Sequence, residues 1–200
     1  MVNEKYQVVV SDPPWAYSDS NTGGSFKSGS KQHYMTLKPE SVAKIHVSDI
    51  MEPDAVCFLW ITVPLLPHGF DVMKSWGFEY KTSVFWYKVD PTTRSGRLGL
   101  GRYFRGMVEV CLVGIRGNIK PFACQSQNII IEKPRKHSQK PEDMWRLIDG
   151  ALRPHNMNRR IELFCRGEPH VSKSFMEPDI LWDGWGNQCE GPRKVELDIL

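Results

Sequence analysis

The residues Ser11-Asp12-Pro13-Pro14-Trp15 directly follow the apolar run Val8-Val9-Val10, and they hold the most specific chemistry in the chain. Consecutive prolines fix φ near about −65° and force the residue before them into extended backbone. The carbonyls of Asp12 and Pro13 therefore read as rigid acceptors that no helix uses. A carboxylate on one side and a flat indole on the other complete a setting for a planar ring with an amino group at its edge. An exocyclic amine of a nucleobase is such a group. Its lone pair is delocalised into the ring, so it is a poor nucleophile until acceptors align both N–H bonds and localise the pair. Asp and Pro are also ordinary turn residues, and a Trp after them can plug a core. The strand before the motif and the aromatic after it weigh towards a site.

A motif of this kind needs elements to hold it. Apolar, β-branched runs recur at Tyr6–Val10, Ala55–Val63, Thr82–Lys88, Val108–Ile115, Asn128–Ile131 and Arg160–Cys165. Several are continuous rather than alternating, which predicts strands covered on both faces and a parallel or mixed sheet. Helices are predicted over Pro39–Ile45, Pro67–Trp76 and Pro141–Leu152, each entered at a proline. In the last, Met144, Trp145, Leu147, Ile148, Ala151 and Leu152 form one apolar stripe, with Glu142 and Asp143 suited to the N-terminal dipole. Strands alternating with helices predict an α/β fold: a single-domain, doubly wound, Rossmann-like sandwich with a mostly parallel mixed sheet. In such folds ligands bind outside the carboxyl ends of the strands, where the Asp-Pro-Pro-Trp motif falls. Three segments read as loops: Ser18–Gln32, Asp90–Phe104 and Gly167–Trp185. The first two are long enough to be functional, and the closing residues 189–200 read as a tail prone to fraying.

Composition narrows the class without naming a partner. The chain has 200 residues, 40% of them hydrophobic, with a formal net charge of +3. That is ordinary globular usage, and the excess charge decides nothing about nucleic acid. The five cysteines form no CxxC pair, so a reducing cytoplasm and no metal are expected. No apolar stretch is long enough to span a membrane. Gly99-Leu100-Gly101 with Gly106 has the wrong spacing for a dinucleotide fingerprint and precedes a strand instead of following one. The H-x-E and P-C-x-x-C signature of the zinc deaminases is absent.

The strand followed by Asp12-Pro13-Pro14-Trp15 resembles the catalytic motif of the adenine-N6 methyltransferases related to the catalytic subunit of the eukaryotic mRNA adenosine methylase, a family with bacterial and phage members. Further segments match in order: Tyr34–Leu37, Phe58–Thr62, Phe85–Lys88, Gly101–Arg105 leading to Glu109–Gly114, His137–Pro141, Ile161–Arg166 and Trp185–Gln188. The resemblance implies a methyltransferase domain over residues 1–188, S-adenosyl-L-methionine as cofactor, and N6-methylation of adenine in nucleic acid, DNA ahead of RNA. It makes Asp12, Pro13, Pro14 and Trp15 the catalytic motif. Asp12, Lys140, Arg166, Asn187 and Gln188 would contact the cofactor, with Lys140 towards its carboxylate. Tyr34, Lys88, Arg102 and Arg105 would meet the substrate, Tyr34 by stacking and the cations at phosphates.

Read without the resemblance, the same residues have plainer roles. Lys140 could be a solvated lysine at a helix start, Arg166 a partner of Glu162, and Asn187-Gln188 a turn. Glu109 matches an acidic position of the family and could equally be a buried partner of Arg105. Many relatives carry a segment ahead of the catalytic strand that helps hold the cofactor's adenine, and only a few residues stand there in this sequence. Glu168 and His170 receive no role. Cytosine-N4 methylation and a catalytically silent nucleic-acid-binding partner are the alternatives; a homodimer or a related partner subunit is compatible with either. Asp at position 12 favours adenine, because motifs for the other amines usually begin with Ser or Asn.

Overall fold

The computed structural model of the chain describes residues 5–16, 36–90, 92–96, 103–122, 126–135, 139–174 and 177–199. Val8, Val9 and Val10 offer no polar face, so β1 (Tyr6–Ser11) is covered on both sides and lies inside a seven-stranded sheet. The chain continues through α1 (Pro39–Ala43), β2 (Met51–Ile61), α2 (Leu66–Ser75), β3 (Glu79–Tyr87), β4 (Val108–Arg116), β5 (Ile129–Ile131), α3 (Glu142–Leu152) and β6 (Arg160–Leu163). Short strands follow: β7 (Arg166–Gly167), β8 (Val171–Ser172), β9 (Ile180–Leu181), β10 (Asp183–Trp185) and β11 (Gln188–Cys189).

The strand order is β10-β6-β1-β2-β4-β3-β5. Within this sheet β4 runs against its neighbours β2 and β3, and the other pairings are parallel. The mixed, mostly parallel sheet is the one the apolar runs predict. Beyond β1 the chain builds outward through β2, then returns by α3 to place β6 on the opposite flank. The order thus reverses between β1 and β6, which makes their carboxyl ends a topological switch point.

Helices cover both faces. On one, Val42 of α1 and Val72 and Met73 of α2 pack with Val9, Leu59, Ile61, Leu112 and Ile161. On the other, Met144, Ile148, Ala151 and Leu152 of α3 pack with Val8, Val10, Phe58, Trp60 and Trp182. Each buried Val, Leu, Ile, Met or Phe among them contributes on the order of 1.5–3 kcal/mol. Buried Arg160 anchors α3 to the sheet, pairing with Asp149 and donating from Nε to the Met157 carbonyl at 2.7 Å. Among the described residues no helix is long and apolar enough to cross a membrane.

Three expectations change. The closing residues are not frayed: Ile199 is buried, Val195 and Leu197 pack against the core, and the His46 amide donates to the Ile199 carbonyl at 2.7 Å. Gly167–Trp185 is not simply a loop, because β8, β9 and β10 lie within it and Gly184 exchanges bonds with Arg193 and Val195. Val89 and Gly96 bridge to each other, and between them Asp90 Oδ1 accepts the amides of Thr92 and Thr93 at 2.9 Å, so this part of the expected loop is tied down. Ser18–Gln32, Tyr34 and Arg102 lie outside the described residues.

Candidate active site

Asp12 leaves the carboxyl end of β1 at the switch point, half-buried, with its Oδ2 accepting from Lys140 Nζ at 2.7 Å. The Pro13-Pro14 turn beneath it is fixed at three points. The Trp15 amide donates back to the Pro13 carbonyl at 2.8 Å, the Leu37 amide donates to the Pro14 carbonyl at 2.7 Å, and Trp15 Nε1 donates to the Trp60 carbonyl at 2.9 Å. These bonds correct two details of the motif. The Pro13 carbonyl already accepts one hydrogen bond and offers only its remaining lone pair. Trp15 is buried in the core, so its ring is not an open stacking face; it ties the turn to the end of β2.

Lys140 stands just ahead of α3, and its ammonium reaches Glu109 Oε2 at 3.3 Å as well as Asp12. Lys88 pairs with the other oxygen of Glu109. The reversed direction of β4 makes this contact, because register sets Glu109 opposite Trp86 and brings the start of β4 beside the end of β3. Two indoles form the floor: Lys140 Nζ lies 5.3 Å from the Trp60 ring centroid and Lys88 Nζ 5.0 Å from that of Trp86. Asp12, Lys140, Glu109 and Lys88 thus alternate in sign along one chain of contacts. Burial works against the charges of Glu109 and Lys140. Even so, the attraction of Lys140 and Lys88 holds Glu109 below its usual range, and Asp12 and Glu109 hold Lys140 above its own.

Beside this chain β6 ends at Leu163, and Phe164 adopts a left-handed backbone at φ 61°. A non-glycine residue there costs on the order of 1–3 kcal/mol, and here the reversal carries the strand into β7. The Phe164 ring meets Trp185 edge-on at 5.5 Å. Arg166 then pairs in register with Gln188 of β11, and exposed Asn187 stands next to it, so the three expected cofactor contacts share one corner. Gly186 permits that corner: a Cβ there would lie 3.1 Å from the backbone N and O of Cys165.

The expected residues therefore divide. Asp12, Lys140, Arg166, Asn187 and Gln188 surround the switch point. Lys88 turns inward to Glu109 instead of facing solvent, and Arg105 is exposed at the rim. Two carboxylates gain importance. Glu109, left between two roles by its sequence, is the bridge between the lysines. Glu162, in register between Val10 and Gly184, is pushed up to about 7, first by burial and then by the charge of Asp12. A single acid inside the apolar strand Ile161–Leu163 was the signal for it.

The MT-A70 family model matches residues 6–188. The Type II methyltransferase M.MunI of Mycoplasma sp is 31% identical over 98% of this chain and 84% of its own length. The human N(6)-adenosine-methyltransferase catalytic subunit METTL3 is 28% identical over 98% of this chain, which spans only 30% of that protein. The Drosophila melanogaster N(6)-adenosine-methyltransferase MT-A70-like protein is 29% identical over a similar span, 29% of its length. With the family model aligned from β1 to the start of β11, the chain belongs to the MT-A70 family.

Proposed function

We propose that this chain transfers a methyl group from S-adenosyl-L-methionine to N6 of adenine in nucleic acid, with DNA ahead of RNA. The observation that carries the reading is the Asp12–Lys140 contact at the β1/β6 switch point, since it sets an acceptor and a cation together where the fold binds ligands. A relative matched along 84% of its own length is a type II methyltransferase, which supports DNA.

The donor set fits the cofactor. Asp12 suits an ammonium, and Lys140 suits a carboxylate with the one N–H left by Asp12 and Glu109. Arg166, Asn187 and Gln188 suit vicinal hydroxyls at their shared corner. When bound, the cofactor supplies a methyl group activated on a sulfonium. The protein's part is to align and desolvate the amine. Asp12 and the remaining lone pair of the Pro13 carbonyl accept the two N–H bonds of N6, so that its lone pair points out of the ring. The clamped Pro-Pro turn holds these acceptors rigid before substrate arrives, and rigidity is what gives such acceptors their effect. The amine's surplus proton then leaves by way of the Asp12 carboxylate to solvent. A base stacked in a duplex cannot present N6 to this turn, so the target must be single-stranded or extruded.

The test is transfer of labelled methyl to DNA and RNA, followed by nucleoside analysis. N6-methyladenine is the expected product; N4-methylcytosine or no product overturns the reading.

A further inference from the structure

Tyr103 and Phe104 stand apart from every other large hydrophobic side chain in the described residues. They are 88% and 91% exposed, whereas the next most exposed large hydrophobics, Val63 and Leu181, reach 49%. Single exposed apolar residues are commonplace, but two adjacent aromatic rings almost wholly in water are not. Neither ring helps the core, and nothing in the transfer chemistry uses them.

Their position is specific. The Lys88 amide donates to the Met107 carbonyl at 2.8 Å, which fastens this segment to the rim beside the Lys88–Glu109 pair. Phe104 precedes Glu109 by a few residues only, so at about 3.3–3.6 Å per extended residue it stays within roughly 18 Å of the site. That is the length of a few nucleotides. The surrounding sequence has matching charge. From Lys88 to Glu109 there are five basic residues, Lys88, Arg94, Arg97, Arg102 and Arg105, against Asp90 and Glu109, so this one segment carries a surplus equal to the +3 of the whole chain. Two exposed aromatic rings adjoining Arg105, within a stretch of sequence rich in arginine, match the chemistry of a nucleic-acid strand, in which bases stack and phosphates pair.

We propose that Tyr103 and Phe104 form a stacking platform for the bases that neighbour the target adenine. This rests on the nucleic-acid reading above. The platform holds the flanking bases while the adenine enters the Asp12 turn, and it reads base planes rather than sequence.

The test uses a fluorescent single-stranded DNA 15-mer with one central adenine, and the same strand with abasic residues on both sides of it. Phosphate charge is equal in the two probes and stacking is not. The natural protein should bind the intact probe roughly tenfold or more tightly than the abasic one. Tyr103→Ala/Phe104→Ala should bind both as the natural protein binds the abasic strand, with unchanged salt dependence and melting temperature. Tyr103→Phe should keep the preference. The proposal is overturned if the natural protein binds both probes equally, or if the double variant keeps the preference. It is also overturned if affinity falls equally on both probes, or if the variant changes only the oligomeric state, which would make the rings a protein interface. Methyl transfer is scored separately: a protein with the stacking preference and no N6-methyladenine product sinks the functional reading and leaves the platform standing.

Discussion

Trp15 donates its indole N–H to the carbonyl of Trp60, 2.9 Å away, and so fastens the turn after β1 to the end of β2 from beneath. The turn's shape therefore depends on the buried indole and not on the carboxylate above it. Asp12→Ala should stay folded, and its turnover at saturating cofactor should fall roughly a hundredfold or more. Trp15→Ala should show the opposite balance, a loss of about 3–5 kcal/mol of stability from an emptied core site. Circular dichroism and saturating-cofactor kinetics on both variants check this; near-normal turnover in folded Asp12→Ala removes the residue from the chemistry.

Glu109 joins two lysines, so its loss and that of Lys88 should not be independent. Glu109→Gln leaves both ammonium groups short of a counter-charge, and Lys88→Met leaves Glu109 pulling on Lys140 alone. Each should lower kcat/KM, and a double-mutant cycle should give a coupling of about 1–2 kcal/mol. Strict additivity would show that the contact has no part in placing Lys140.

Burial, and then the charge of Asp12, push Glu162 up to about 7 from an ordinary 4.5. Between those values the folded protein binds the proton and the unfolded chain does not, so this stabilisation is complete below about pH 4.5 and is lost as pH rises through 7. The loss is capped at about 3 kcal/mol. Glu162→Gln should thus melt close to the natural protein at pH 4.5 and clearly above it at pH 8. Parallel melting curves across that range would refute the assignment.

Gly184 lies where a Cβ would come within 2.6 Å of Cys189 Sγ and 3.2 Å of Cys165 Sγ. Gly184→Ala should therefore displace β7 from β11 and part Arg166 from Gln188. Calorimetry should find cofactor affinity down about tenfold, with nucleic-acid affinity little changed.

The layered fold was legible because its causes are local. Continuous runs such as Val8–Val10 force double coverage, and Pro39, Pro67 and Pro141 mark helix entrances within a residue or so. Asp12 and Lys140 were legible as types placed after a strand and before a helix. The Lys88–Glu109 contact was not, since it depends on the antiparallel register of β3 and β4 across residues distant in sequence. The tail's packing had a signal that its polar look obscured: Val195, Leu197 and Ile199 alternate with Glu196 and Asp198, the period of a segment buried on one side. Trp15 carried no such signal, because a Trp after Pro-Pro serves a core or a ligand equally well.

The alternation of Asp12, Lys140, Glu109 and Lys88 sums to zero charge. A cancelled quartet exerts little pull beyond its own dimensions, so an approaching polyanion is drawn by charges elsewhere on the surface and not by the groups that align its amine. Capture and chemistry are therefore separable properties of this molecule. Added salt should slow the arrival of substrate and leave the rate of the bound complex nearly untouched. Exchanging arginines between Lys88 and Glu109 could retune which strand is caught without disturbing how it is methylated.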